Sequence, residues 1–150
     1  MLDCIKNLVT SSTFLTVISG VFVFALSQLF NEYWIKPIQK YKKLRAKISY
    51  YLTLYANMYM NPVKIENIND DIKSASYEFR KLAAEVDAMI ELKPWFFPLI
   101  KGNDILREVS KNLIGLSNNF GSHDPEKNFT YSQEMRDKIC SLLELGEYNW

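Results

Sequence analysis

From Asn7 to Asn31 the chain runs 25 residues without a charge, and the centre of that run reads Phe14-Leu-Thr-Val-Ile-Ser-Gly-Val-Phe-Val-Phe-Ala-Leu26. About 20 mostly apolar residues, each rising 1.5 Å, cross a hydrocarbon layer of ~30 Å. The pattern predicts a membrane-spanning helix within residues 1–35. A buried core helix would usually be shorter and apolar along one stripe. A secretory signal would need more than Lys6 before it and a better cleavage triplet than Ala25-Leu26-Ser27. Tyr33 and Trp34 follow where an interfacial aromatic belt belongs.

Residues 36–150 change period, and the spacing predicts an all-α cytosolic domain of about four helices following the span. The first continues to Asn61-Pro62 and carries Tyr41, Leu44, Ile48, Tyr51 and Tyr55 on one face. Pro37 predicts a kink there, or the first turn of a new helix. The second covers about Asp70 to Glu91, with Ile72, Ala75, Phe79, Leu82, Ala83, Val86, Met89 and Ile90 inward. Its start, Asn69-Asp-Asp71, suits a capped, positive helix end. Lys93-Pro-Trp-Phe-Phe-Pro98 interrupts the pattern and predicts a compact apolar corner. The third helix runs from Asp104 to about Asn118, burying Ile105, Val109, Leu113, Leu116 and Phe120. The last is expected from Tyr131 to Leu145, with Thr130 as N-cap, Gln133 completing a capping box and Gly146 as the stop. It turns Met135, Ile139, Leu142 and Leu143 to the core. No alternating strand pattern is visible.

Charge sharpens this division. The chain carries 18 Lys+Arg and 17 Asp+Glu, a net charge of +1. Residues 32–60 hold Lys36, Lys40, Lys42, Lys43, Arg45 and Lys47 against Glu32 alone, whereas residues 61–150 are net −4. Basic residues after the span place its C-terminal side in the cytoplasm and the N-terminus outside. Two cysteines at opposite ends, Cys4 and Cys140, make no disulfide framework, in keeping with a reducing compartment for the main body.

Within the span, Ser12, Thr13, Thr16, Ser19, Gly20, Val23 and Ser27 recur at spacings of three and four. They trace one stripe, opposite Phe14, Ile18, Val21, Phe22 and Ala25. Small and hydroxyl residues face other helices or water-filled cavities in membranes. They can also bond back to their own helix carbonyls. The first use requires self-assembly, since each chain supplies one span; a closed cyclic homo-oligomer, in the first instance a tetramer, is expected. Below the span, Lys36, Lys40, Lys43 and Lys47 form a basic stripe. It serves topology and the anionic lipid surface, worth ~1 kcal/mol per residue. In an oligomer the same stripe becomes a cationic ring that binds a polyphosphate or nucleic-acid strand, or selects anions.

Catalytic chemistry is not visible. There is no Walker loop, dinucleotide fingerprint, nucleophile elbow or HExxH. The single histidine, His123, lies in a Ser-His-Asp-Pro loop and reads as a surface residue. Asp70-Asp71 reads as a helix start rather than a metal site, and Glu85 and Asp87 face different sides of one helix. A non-enzymatic protein without cofactor or metal is expected.

The run from Ser27 to Arg45, the triplet Tyr55-Ala-Asn57 and the stretch Asn112-Leu-Ile-Gly-Leu-Ser-Asn118 resemble small single-span bacterial membrane effectors of anti-phage defence. The channel-forming effectors of Hailong systems are the specific likeness. The resemblance implies a homo-oligomeric channel held inactive by a single-stranded DNA oligomer from a partner nucleotidyltransferase, and opened on infection. It transfers no ligand-contacting residue. The competing expectation is a membrane-anchored adaptor that recruits a soluble partner without conduction.

Overall fold

The computed structural model describes residues 12–61, 63–64, 69–92, 99–122 and 125–145. In chain order these form α1 (Ser12–Phe30), a π-helical turn (Asn31–Ile35), α2 (Lys36–Leu54) and α3 (Ala56–Met60). β1 (Val63–Lys64), α4 (Asp70–Leu92), α5 (Asn103–Asn118), β2 (Gly121–Ser122) and α6 (Pro125–Leu143) follow. The fold is all-helical apart from β1 and β2, which pair in parallel, Val63 with Gly121 and Lys64 with Ser122. A two-residue ladder leaves no period-2 signature, so the sequence pattern could not register it. The chain divides into two compact units between Ile38 and Gln39.

In the first unit, helical winding passes through Pro37. That residue has no N–H for the Tyr33 carbonyl, and its ring would crowd that carbonyl in an α-turn. Just upstream, the Lys36 N–H reaches back five residues to the Asn31 carbonyl. The wider π spacing absorbs the mismatch, and winding continues from Ser12 to Leu54.

The second unit is built around α4 and α5. All eight predicted α4 residues are buried. Asn69 caps this helix, its Oδ1 accepting from the Ile72 N–H at 2.9 Å. α2 contributes Tyr41, Leu44, Ile48 and Leu52. The helix expected to run on to Asn61 is not continuous: Tyr55 (φ −102°, ψ 16°) leaves the helical region and separates α2 from α3. Tyr59 of α3 spans this joint by donating its hydroxyl to the Leu52 carbonyl at 2.8 Å. Its ring meets Phe79 and Phe120 at centroid distances of 6.0 and 6.5 Å. Burial drives the Tyr59 hydroxyl up to a pKa of about 12.

Two predicted core assignments shift. Leu106, not Ile105, is the deeply buried residue at the start of α5. α6 begins at Pro125 rather than Tyr131, so Thr130 is an exposed residue inside the helix and caps nothing. Proline suits the first helical position, where its missing N–H has no partner to lose. Ile139 and Leu143 are buried as expected, while Met135 and Leu142 are half-buried. α5 and α6 meet closely: a Cβ at Gly115 would lie 2.5 Å from Met135 Sδ. The expected Lys93–Pro98 corner, Pro62, His123, Cys4 and the Gly146 stop lie outside the described residues.

Candidate functional site

Nineteen residues of α1 span about 28 Å at 1.5 Å per residue, close to the hydrocarbon thickness of a bilayer. Every side chain from Leu15 to Phe30 is exposed. Val21, Phe22, Val23 and Phe24 each keep more than 60% of their surface open, on all sides of the helix. Among the described residues this is the one helix long and apolar enough to cross a membrane. Burial is worth roughly 1.5–3 kcal/mol per large apolar side chain, and among the described residues Leu15 to Phe30 gain little of it. Beyond the apolar run, Trp34 stacks on Phe30 at 5.7 Å between ring centroids.

The hydroxyls of the small-residue stripe have local partners. Thr16 Oγ1 donates to the Ser12 carbonyl at 2.8 Å, Ser19 Oγ to the Thr16 carbonyl at 2.9 Å, and Ser27 Oγ to the Val23 carbonyl at 2.7 Å. Each hydroxyl thereby spends its proton on its own helix and keeps acceptor capacity outward. Ser12, Gly20 and Val23 are exposed beside them. A Cβ on Gly20 would meet nothing within 4 Å, so the notch there is open.

The basic stripe divides into two kinds of lysine. Lys36 pairs with Glu32 one turn back, and Lys47 pairs with Glu85 of α4. Lys40 and Lys43 are exposed and make no ion pair among the described residues. Two of the four charges expected to form an anionic-ligand face are thus offset by carboxylates. The Glu85 partner was invisible in the sequence, since contact between residues 47 and 85 exists only after folding.

Two further features arise from tertiary contacts. Near the end of α6, Arg45 donates to the Glu144 carbonyl at 3.0 Å, and Lys101 bonds the Glu144 carboxylate. That bond and the Lys101 charge lower the Glu144 pKa. Glu144 itself sits at φ 51°, the left-handed position that ends a helix. Between α4 and the end of α5 lies a cleft of about 410 Å³, lined by Ile72, Lys73, Ser76, Tyr77, Arg80, Ser117, Asn118, Phe120 and Gly121. Arg80 carries no local signal in the sequence, because its partners lie 37 and 38 residues away. No three His, Cys, Asp or Glu side chains converge on a metal position among the described residues.

No protein-family model, curated protein or solved structure matches this chain.

Proposed function

We propose that this protein is a homo-oligomeric, single-span membrane effector that forms an ion channel. On this reading its cytosolic helical domain gates the channel in response to an anionic nucleotide or oligonucleotide, as part of bacterial anti-phage defence. The observation that carries the reading is α1: long and apolar, exposed from Leu15 to Phe30 among the described residues, and carrying the small and hydroxyl stripe Ser12, Thr16, Ser19, Gly20, Val23 and Ser27 along one side. Lipid covers the large residues, and neighbouring copies of α1 approach along the grooved side, where small residues allow close packing. Basic residues after the span keep the C-terminal unit in the cytoplasm. Lys40 and Lys43 face the ligand.

A second reading, a membrane-anchored adaptor without conduction, is favoured by the back-bonded hydroxyls, which need no partner helix. The two separate experimentally. The full chain is reconstituted in liposomes, its mass measured by native mass spectrometry from detergent, and dye-reported ion flux recorded. The channel reading expects a cyclic oligomer and flux. Monomers without flux would establish the adaptor.

A further inference from the structure

The cleft between α4 and the end of α5 combines three features that do not follow from stability alone. The first is a positioned guanidinium. Arg80 Nε donates to Ser117 Oγ at 3.3 Å, and one Nη2 proton goes to Asn118 Oδ1 at 3.0 Å. Ser117 is held in turn: it is buried, and its carbonyl accepts from Ser76 Oγ at 2.7 Å. Arg80 is exposed, and its Nη1 donors have no partner among the described residues. A fork held on one edge and open on the other is preorganised for an oxyanion.

The second feature is charge. Lys73 lines the same cleft, and no carboxylate does. Lys73 touches Asp70 at 3.0 Å, but Asp70 is 97% exposed, far more solvated than Glu32 or Glu85, so this pair is weaker than those of Lys36 and Lys47. The α5 C-terminus, whose carbonyls disfavour anions, is offset in part: the Leu116 and Ser117 carbonyls accept from the Asn119 N–H and Ser76 Oγ. The third feature is an aromatic wall. Tyr77, 65% exposed, stands at the rim, with the buried Ile72 and Phe120 behind it. An exposed ring beside two cations can stack on a flat ligand whose phosphate the cations hold.

We infer that this cleft binds a nucleoside monophosphate, with the phosphate on Arg80 and Lys73 and the base against Tyr77. Its volume is in the range of small-ligand pockets. The site is separate from Lys40 and Lys43. It adds a second anionic-ligand position to the proposed function but does not depend on conduction or self-assembly, because binding is read directly.

The test uses the full chain in detergent micelles, with AMP as probe in equilibrium dialysis. AMP is expected to bind, and adenosine and ribose 5-phosphate each to bind at least about tenfold more weakly, since each lacks half of the recognition. Arg80→Gln should weaken AMP binding by roughly tenfold or more, and Tyr77→Ser by roughly fivefold or more. AMP binding lost on paired Lys40→Glu and Lys43→Glu changes but kept in folded Arg80→Gln would place the nucleotide on the lysine face and overturn the proposal. Tyr77→Ser alters only a rim side chain, so it decides the matter even if Arg80→Gln unfolds, as monitored by circular dichroism. AMP binding no tighter than about 1 mM, or unchanged affinity in folded Tyr77→Ser, would overturn the proposal. Ribose 5-phosphate or a short-chain phosphatidic acid binding as tightly as AMP would overturn the nucleoside assignment in favour of a bare phosphate or a lipid headgroup.

Discussion

Salt dependence of oligonucleotide binding tests the lysine face, and the structure sets its size. A single strand releases counterions so that log K falls with log salt by ~0.7 per phosphate neutralised. Four equivalent lysines would give a slope of about 2.8 per protomer contacted, and a fourfold rise in salt would cost about fiftyfold in affinity. Lys36 and Lys47 already face Glu32 and Glu85. Only Lys40 and Lys43 then contribute, the slope falls to about 1.4, and the same salt step costs about sevenfold per protomer. Lys40→Ala should therefore halve the measured slope, whatever the number of copies touching the strand. Lys36→Ala should leave it unchanged. The assay is fluorescence anisotropy of a labelled single-stranded oligodeoxynucleotide on the detergent-purified full chain, between about 50 and 200 mM salt. A quarter-sized loss of slope from each of the four lysines would refute the reasoning that intramolecular pairing removes two of them. No salt-sensitive binding at all would reduce the stripe to a topology and lipid signal.

Replacing Gly20 by Leu should abolish liposome ion flux while leaving the melting of α4, α5 and α6 unchanged, since a Cβ at Gly20 meets nothing within 4 Å among the described residues; flux at the wild-type level would make α1 an anchor only. Tyr59→Phe removes the donor to the Leu52 carbonyl and should cost about 1–2 kcal/mol, read as a drop of roughly 4–10 °C in thermal unfolding. The Lys101 hydrogen bond and charge hold the Glu144 pKa below its unfolded value. Its contribution is thus present above the unfolded pKa and lost as pH falls through the lower folded one. Thermal melts from neutral pH down through the carboxylate range should show a decline that Glu144→Gln lessens, and identical profiles would exclude that contribution.

The sequence by itself determined the features that depend on neighbours a few residues away. A long uncharged run, a basic segment after it and helical periodicity from Ile72 to Ile90 are local properties. They gave the apolar helix, the all-helical fold and the whole buried face of α4. Helix limits were less legible where local signals competed: Pro125 outweighed the capping box at Thr130, and Leu106 took the place of Ile105. Tertiary structure alone decided which charges remain available. Lys47 reads as one of four equal lysines until folding sets Glu85 of α4 against it. Arg80 reads as surface charge until the end of α5 brings up Ser117 and Asn118 to hold it. Hydropathy reports how each residue prefers to meet water, whereas electrostatic availability depends on which groups the fold places within a few ångströms.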